Sequence, residues 1–559
     1  MTDERLIYMP LGGAGEIGMN CYVYGYGKPG EERLIVVDLG VAFPDMDTSP
    51  GVDLIMADVS WLIENQNRID AIFITHAHED HIGALGHLWP KLRAPVYARK
   101  FTAAIATGKM EEAGQPTDAL HVVGARPAVT VAGPFRVQFV PVSHSIPESA
   151  GLIIDTPAGR VVHSGDFKLD GTPIVGEPFD PEVWLKIATE NGRVRAFVCD
   201  STNVFSPLPG RSEATLAEPI SKLIAEQEGM VVATTFASNV ARLKTLAEAG
   251  RAAGRSICLL GRAMNKMVTT AVETGLLTDF PRVLSPEEAE EVPRQSLMLI
   301  VTGSQGERRA ASAALSRGKY LGMELKEGDM FLFSSKTIPG NEKDVIRIMN
   351  ALSVRGVDVV DDRGGAYHVS GHANRPDLEA VHELVNPLMV VPMHGEHRHL
   401  REHAGLARAK GMGSAVVTNG TMISLSGAAP EVVQQVEAGR LYLDGTVLIG
   451  AMDGVVRDRI RVALNGVVFA TVIIDEDGAP LGDAWVELMG LPETGATGKV
   501  LADAIEDELG EFLAAAPDKV IRDDGKLDEA IKRIVRQVAA EEVGKKPEVS
   551  VVISRLMAE

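Results

Sequence analysis

The segment FITHAHEDHIG, at residues 73–83, restricts what this chain can fold into more than any other part of it. It follows a short apolar run and collects His76, His78, Asp80 and His81 within six positions. Alternate residues of an extended chain point to the same side, so His76 and His78 face one way, while Asp80 and His81 lie beyond the bend. Imidazole and carboxylate ligands suit zinc or manganese. The segment therefore predicts a loop after a strand, with ligands that can face two metal ions.

Two ions with open coordination positions need more than four ligands. Three further candidates each follow a strand-like run: His144 in VPVSHSIPES, Asp166 in VHSGDFKLD and His394 in VPMHGEHRH. Side chains on loops at strand ends are the usual way in which a rigid sheet presents a site. Taken alone, a histidine such as His144 is as readily a solvated loop residue. The cluster at residues 76–81 is much harder to explain in that way.

The composition is that of a globular protein of two or three domains. The chain has 559 residues, which is too many for one hydrophobic core. It has three cysteines, no CxxC pair, no long apolar span and no basic-then-apolar leader at its start, so a reducing cytoplasm is expected. The net charge of −21 argues against a protein that is basic overall. It does not exclude nucleic acid, because binding needs only a local positive field.

The pattern of predicted strands and helices changes twice along the chain. Residues 5–200 read as short strands between glycine-rich turns, and residues 206–368 read as alternating strands and helices, which predicts a parallel sheet covered by helices. From about residue 450, two strand-like runs flank a helical stretch at 497–543. This last part is expected to be a small α/β domain that follows an irregular linker.

The ligand pattern HxHxDH, followed by a separate His, Asp and His, resembles the metallo-β-lactamase fold. That resemblance implies an αββα sandwich with a dinuclear metal site. It assigns His76, His78 and His144 to one ion, Asp80, His81 and His394 to the other, and Asp166 to a bridge between them.

More than two hundred residues separate Asp166 from His394, and the alternating strand–helix block lies in that gap. This arrangement resembles the β-CASP nucleases, whose inserted domain closes over the metal site. Their three extra motifs match CDSTN through Asp200 (motif A), HVSGHANRPD through His372 (motif B) and MHGEHR through His394 (motif C). A histidine at motif C goes with the RNA-processing members of that family.

Blocks such as LGGAGEIGMN, HSIPES, GDFKLDGTP, TGSQGE and IPGNE are similar to those of the bacterial ribonuclease J family. The resemblance implies a metallo-β-lactamase domain at 1–205 and 369–448, a β-CASP domain at 206–368, a linker at 449–465 and a C-terminal domain at 466–559. It also implies a 5′-to-3′ exonuclease, with endonuclease activity as well, that acts in RNA maturation and mRNA decay. Two Zn²⁺ ions are the expected cofactors, with Mn²⁺ as the other candidate.

The resemblance gives further residues a role. His372 is expected to hold the scissile phosphate and protonate the leaving oxygen. Asp200 is expected to orient the metal ligands without binding the metal itself. A pocket for the 5′-monophosphate of single-stranded RNA is expected from Phe236, Ala237, Ser238, Asn239, His368, Val369, Ser370, Gly371 and His372. From the sequence alone, Ser238 and Asn239 are better explained as caps of the helix that follows.

Other expectations concern partners and a structural ion. The resemblance implies a homodimer or homotetramer, partners in RNA-degradation complexes and no membrane association. A structural Ca²⁺ is expected at the Gly51 carbonyl, Asp53 and Asp444, although ordinary turns explain these residues equally well.

Two alternatives come from different classes of protein. One is a small-molecule hydrolase of the same fold, such as a lactonase or thioesterase, against which the long insert and motifs A to C count. The other is a metal-free RNA-binding scaffold, which would not need to keep seven ligands.

Overall fold

The computed structural model describes residues 4–362 and 364–556. The chain divides into two compact units. One contains the residues up to Ala42 together with Ile55–Arg440, and the other contains Phe43–Leu54 together with the residues from Leu441 onward. This division does not separate the predicted insert from the domain around it. The domain boundaries given by the sequence therefore stay predictions.

Two large sheets pack face to face in the first unit. In spatial order, the eight-stranded sheet contains Glu431–Gln435, Thr421–Ser424, Arg5–Gly12, Cys21–Gly27, Arg33–Val37, Ile69–Phe73, Val96–Ala98 and Leu120–Val122. The seven-stranded sheet contains Thr130–Ala132, Phe135–Pro141, Ala150–Thr156, Gly159–His163, Ala196–Asp200, Met389–Met393 and Gly413–Ser414. Tyr8 and Tyr24 of the first sheet share one buried core with Phe139 and Val198 of the second.

Helices cover the outer faces of both sheets. Ser60–Glu64, Leu85–Leu92 and Lys100–Glu112 lie in the connections of the eight-stranded sheet, and their Leu62, Leu88 and Phe101 side chains are buried. Pro181–Thr189, Arg375–Val385 and His397–Ala409 pack on the seven-stranded sheet through Trp184, Leu378 and Leu406. A short helix, Glu79–Ile82, holds half of the metal-binding segment. The αββα sandwich is confirmed.

A third sheet of the first unit is parallel throughout, as the strand–helix alternation predicted. Its strands, in spatial order, are Val283–Leu284, Ser256–Leu260, Leu297–Val301, Val231–Thr234, Met330–Phe333 and Asp358–Val360. The associated helices are Ala217–Ala225, Val240–Ala252, Arg262–Glu273, Pro286–Glu290, Ala311–Arg317 and Glu342–Val354. Its central strands Leu297–Val301, Val231–Thr234 and Met330–Phe333 are buried on both faces, which explains their continuous apolar sequences.

Short elements complete the first unit. Ala14–Gly15 pairs in parallel with Gly395–Glu396, and Val41–Ala42 pairs with Leu54–Ala57. Turns of 3₁₀ helix occupy Gln66–Arg68, Glu213–Leu216 and Arg294–Ser296.

The second unit is built on a three-stranded sheet in the order Trp485–Met489, Val467–Ile474, Glu548–Arg555. The helical stretch expected at 497–543 is divided into Leu501–Ala515, Asp518–Ile521 and Asp524–Val543. Pro517 stands at the start of the second of these helices, where a residue without a backbone N–H would break a continuous helix. Helix Val455–Asn465 and the hairpin of Arg440–Asp444 with Val447–Gly450 precede the sheet.

Chain direction brings the predicted ligands together. Strands Gly159–His163, Ala196–Asp200 and Met389–Met393 run parallel to one another, so their carboxyl ends meet at one edge. Asp166, Asp200 and His394 lie at those ends. None of the helices in the described part of the chain is long and apolar enough to cross a membrane.

Candidate metal centre

Three imidazoles converge at the end of strand Ile69–Phe73. His76 Nε2 lies 3.1 Å from His78 Nδ1, and His144 Nε2 lies 3.0 Å from the same nitrogen. One potential ligand atom from each of the three residues lies within 4.8 Å of the other two. The sequence assigned these three histidines to a single ion, and the structure brings them together.

A second group lies beside the first. His394 Nε2 is 3.0 Å from Asp80 Oδ2, and His81 Nε2 is 3.1 Å from Asp166 Oδ2. The ligand atoms of these four residues also lie within 4.8 Å of one another. They are the set that the sequence assigned to the second ion and the bridge.

Asp166 lies between the two groups. Its Oδ2 lies 3.9 Å from both His76 Nε2 and His144 Nε2, and 3.5 Å from His394 Nε2. Its other oxygen, Oδ1, is buried and has no hydrogen-bond partner among the described residues. A buried carboxylate oxygen without a partner is costly unless a cation meets it. The donor set therefore fits a pair of divalent metal ions.

Four of the ligand histidines are held through Nδ1, which leaves Nε2 for metal. The partners of Nδ1 are Thr75 Oγ1 for His76, Asp38 Oδ2 for His81, the Gly371 carbonyl for His144 and Thr202 Oγ1 for His394, at 2.6–3.0 Å. Each partner accepts a hydrogen bond from the ring. Such outer contacts fix the tautomer and the direction of a ligand imidazole.

Protonation states follow from burial and charge. Burial holds the pKa of His76 and of His144 well below the usual value, and that of His78 at about 4, so these rings are neutral at pH 7, as metal binding requires. Burial also opposes charge on His81, but Asp166 and Asp80 outweigh it and raise its pKa.

Asp38 is a functional residue that the sequence reasoning missed. Its side chain accepts hydrogen bonds from His81 Nδ1 and from the backbone N–H and hydroxyl of Thr75, so it supports both ligand groups. It is fully buried and takes a left-handed backbone conformation, with φ of 65°. The signal was its position directly after strand Arg33–Val37, the same strand-end position that identified Asp166 and His144.

Motifs A and B meet in one hydrogen bond. His372 Nδ1 lies 2.7 Å from Asp200 Oδ2. Burial lowers the pKa of His372, but the charges of Asp200 and Asp166 overcome this and raise it to about 9. Asp200 Oδ1 accepts from the Thr202 hydroxyl, which in turn holds His394 Nδ1. Asp200 therefore orients both the motif B histidine and a metal ligand.

The motif B loop approaches the ligands very closely at Gly371. A Cβ atom on Gly371 would lie 2.7 Å from Ser145 Oγ and 2.8 Å from His144 Nδ1, so only glycine lets its carbonyl reach the His144 ring. His394 has a left-handed backbone as well, with φ of 50°. Non-glycine residues held in that region mark places where the surrounding structure dictates the conformation.

The expected phosphate pocket has two walls. Asn239 is buried and its Oδ1 accepts from the Arg242 backbone N–H, so it caps helix Val240–Ala252. Phe236, Ala237 and Ser238 are partly exposed ahead of that helix. Capping therefore explains Asn239, and Ser238 keeps an accessible hydroxyl.

In the other wall, Ser370 Oγ accepts from Asn203 Nδ2 and from the His372 backbone N–H. Val369 is buried, whereas His368 is partly exposed. Burial and the charges of Arg242, Lys336, Lys168 and Arg211 lower the pKa of His368 to about 3. Arg242 and Lys168 are already paired with Glu213 and Asp170, so Arg211 and Lys336 are the better candidates for a local positive charge here.

Arg242 joins the two walls, and no sequence pattern singled it out. Its fully buried guanidinium binds both oxygens of Glu213 and donates to the Ser334 and Tyr367 carbonyls at 2.8 and 3.0 Å. Tyr367 directly precedes His368. The helix that bears the first wall is thereby tied to the loop that bears the second.

The expected calcium ligands lie in the second unit. The Arg459 guanidinium donates to Asp444 Oδ2 at 2.6 Å and to the Pro50 carbonyl next to Gly51, while Asp53 Oδ2 accepts from the Gly445 N–H. A positive side chain thus already neutralises Asp444. The calcium site stays a prediction.

Family models match four parts of the chain. They are the Metallo-beta-lactamase superfamily at residues 14–198, the Ribonuclease J, beta-CASP domain at 228–352, the Zn-dependent metallo-hydrolase RNA specificity domain at 366–418 and the Ribonuclease J C-terminal domain at 454–556.

Curated proteins named Ribonuclease J are similar over nearly the whole length. That of Sinorhizobium meliloti is 40% identical over 556 residues, covering 99% of this chain and 98% of the relative. That of Mycolicibacterium smegmatis is 35% identical over 544 residues, covering 96% and 95%. A solved structure of a protein of unknown function from Enterococcus faecalis V583 shares the fold, with a TM-score of 0.50 and 16% identity, over 75% of this chain and 100% of that one.

Proposed function

The chain belongs to the ribonuclease J family, and we propose that it removes nucleotides one at a time from the 5′ end of single-stranded RNA bearing a 5′-monophosphate. It is a metal-dependent ribonuclease and it binds RNA. One observation carries the finer proposal. The Gly371 carbonyl ties the loop at 368–372 to the candidate ligand His144, and His372 ties it to Asp200. Tyr367, next to this loop, is held by Arg242 from the helix that bears the other wall of the phosphate pocket.

The proposed ions are two Zn²⁺, with Mn²⁺ as the alternative. Five imidazoles and two carboxylates supply the nitrogen and oxygen donors that suit either ion. Divalent ions in such a pair supply an activated water at neutral pH and neutralise charge on a transferring phosphoryl group.

The residues around the ions have distinct proposed tasks. Asp200 accepts from His372 Nδ1, so the protonated ring offers its other N–H, on Nε2, to the leaving 3′-oxygen. His372 is the proposed catalytic residue, because it transfers a proton to a reacting atom. Asp200 is a positioning residue that acts through His372 and Thr202.

The pocket holds the 5′-phosphate in the same proposal. The N-terminus of a 13-residue helix, Val240–Ala252, provides backbone N–H groups and a positive dipole end. Arg211 and Lys336 add charge near His368. A terminus bound there would place the first phosphodiester beside the metal ligands. A triphosphate is longer and more highly charged, so it would fit poorly, while internal cleavage needs RNA that passes the pocket.

The decisive experiment compares one RNA sequence bearing a 5′-monophosphate, a 5′-triphosphate or a 5′-hydroxyl, together with its circular form. Release of mononucleotides should be fastest from the monophosphate, and the circle should give only internal products. Equal rates of mononucleotide release from the three linear RNAs would show that the pocket does not distinguish their 5′ ends.

The small-molecule hydrolase is not supported, because the insert and the segment at 366–418 match the beta-CASP and RNA-specificity models. A metal-free scaffold is disfavoured by the convergence of all seven predicted ligands.

Self-association is proposed to use the second unit. One face of its three-stranded sheet exposes five apolar side chains among polar ones such as Glu487 and Ser550. The five are Phe469, Ile473, Trp485, Met489 and Val552, each between 37% and 60% exposed. A second copy of the chain is the proposed occupant, because exposed apolar patches of this kind mark interfaces. Partners in RNA-degradation complexes are supported by the family resemblance alone.

A further inference from the structure

A second group of metal-ligating side chains lies in the core between the seven-stranded sheet and its outer helices. Cys199 comes from strand Ala196–Asp200, His382 from helix Arg375–Val385 and His403 from helix His397–Ala409. All three are fully buried, and one ligand atom from each lies within 4.8 Å of the other two. The predicted active site uses none of them.

The two imidazoles face each other through Nε2. These nitrogens are 3.0 Å apart, the separation also seen between the ligand nitrogens of His144 and His78 in the metal centre. His403 Nδ1 contacts Ser201 Oγ at 2.9 Å, the outer contact that a ligand imidazole usually has. His382 Nδ1 is buried and has no hydrogen-bond partner among the described residues.

The rings are suited to bind a cation rather than to carry charge. Burial lowers the pKa of His403 to about 4 and that of His382 well below its usual value, so both are neutral at pH 7. A single N–H···N hydrogen bond could join two neutral rings. It would not account for a thiol within reach of both. Burial and the charge of Asp200 raise the pKa of the Cys199 thiol well above its usual value, so a cation would displace its proton on binding. A thiolate with two imidazoles is a donor set that soft cations select.

We propose that Cys199, His382 and His403 form a further metal site for a thiophilic cation, Zn²⁺ or Cu⁺. An ion there would join the strand that ends at Asp200 to the two helices that follow motifs B and C. It would stabilise the wall behind the active site without touching substrate. The proposal is independent of the proposed action on RNA 5′ ends.

The experiment uses the full chain and optical absorption. The protein is stripped of metal and titrated with Co²⁺, a probe for zinc sites. The active-site ligands contain no sulfur, so a thiolate-to-cobalt charge-transfer band in the near ultraviolet requires a cysteine ligand. We expect that band in the wild type and in Cys258→Ala, which removes a buried cysteine that lies outside every ligand group of the described residues. We expect its loss in Cys199→Ala.

Elemental analysis of zinc and copper in the purified proteins gives a second readout and tells the two ions apart. Cys199→Ala should hold about one ion per chain fewer than Cys258→Ala. If Cys199→Ala fails to fold by circular dichroism, His403→Gln takes its place, with the same expected losses. A wild type without the band, a band that survives in Cys199→Ala, or equal metal content in the two cysteine variants would overturn the proposal and leave a hydrogen-bonded histidine pair.

Discussion

His372 Nδ1 lies 2.7 Å from Asp200 Oδ2, and this single contact couples the proposed proton donor to a strand end in the seven-stranded sheet. Asp200 is 1% exposed, and its other oxygen accepts from the Thr202 backbone N–H and hydroxyl. The carboxylate therefore cannot turn away from the histidine without losing two other hydrogen bonds. These contacts fix the orientation of the His372 ring, as a positioned acid requires.

His372→Ala should slow the chemical step far more than it weakens RNA binding, because it removes a proton donor. The expected loss in single-turnover rate is about 10²–10⁴-fold, with little change in Kd. Asp200→Asn should lower the rate as well. It should also move the alkaline limb of the pH–rate profile to lower pH, because the neutral amide no longer stabilises the imidazolium of His372. His121→Ala, at an exposed histidine, is the matched control. An unchanged single-turnover rate at saturating enzyme would remove His372 from the role of acid.

The double variant Asp80→Ala/His81→Ala should lose metal and cleavage together while it keeps its secondary structure. Both residues lie on a short helix at the sheet edge and belong to the second candidate ligand group. His81 is also buried against Asp38, so some loss of Tm is expected without loss of the fold. Glu79→Gln is the control, since Glu79 lies in the same segment and pairs with Lys109 instead. Metal content by elemental analysis and cleavage of labelled RNA are the measurements. Near-normal cleavage by the double variant would contradict the ligand assignment.

Most of the metal centre could be predicted because four of its seven candidate ligands lie within six positions of the sequence and the family resemblance supplied the other three, of which Asp166 and His394 follow parallel strands. Once Gly159–His163, Ala196–Asp200 and Met389–Met393 are recognised as neighbours, their terminal residues must meet. The αββα layers and the parallel insert follow in the same way from strand and helix patterns. The division of the helical stretch 497–543 into three helices was harder to predict. The helical spacing of apolar residues continues past Pro517, although the helix does not.

Two sets of side chains that meet across long sequence separations could not be predicted. Arg242 reaches Glu213, Ser334 and Tyr367, and nothing in its local sequence marks it among ordinary helix arginines. The Cys199–His382–His403 group could not be predicted either, because its members lie on three different elements and their spacing in the sequence resembles no metal-binding motif. Only the packed fold shows which polar residues share one buried volume.

Self-association should depend on the open face of the sheet in the second unit. Trp485→Glu combined with Val552→Glu should shift the chain to a smaller mass in light scattering, because two charges would have to be buried in the interface. Both side chains are solvent-exposed in a single copy, so the fold should survive. Lys519→Glu, at an exposed lysine on helix Asp518–Ile521 of the same unit, is the control, because it changes the net charge by the same amount. An unchanged mass for the double variant would place the interface elsewhere.

Stability should fall in mild acid, and His163 should account for part of the loss. Burial lowers the pKa of His163 to about 3, below the value of about 6.5 expected in the unfolded chain. Its contribution is therefore complete above pH 6.5 and declines by about 1.4 kcal/mol per pH unit as the pH falls toward 3. His163→Gln, which can still meet the Tyr24 hydroxyl, should show a smaller drop in Tm between pH 7.5 and 5.5 than the wild type. Equal drops would show that His163 is not the titrating group.

Arg242→Lys should reduce the preference for a 5′-monophosphate while cleavage of circular RNA is kept. Lysine keeps the charge beside Glu213 but has no planar fork, so it cannot hold the carboxylate and the Ser334 and Tyr367 carbonyls at once. The two walls of the pocket would then lose their fixed spacing, and KM for monophosphorylated RNA should rise more than kcat falls. Arg242→Ala is less useful, because an unpaired buried Glu213 costs about 3–5 kcal/mol and risks unfolding. Arg251→Lys, at the exposed end of the same helix, is the matched control. If folded Arg242→Lys keeps the wild-type ratio of rates on monophosphate and triphosphate RNA, the hydrogen bonds of Arg242 do not determine how the pocket selects the 5′ end.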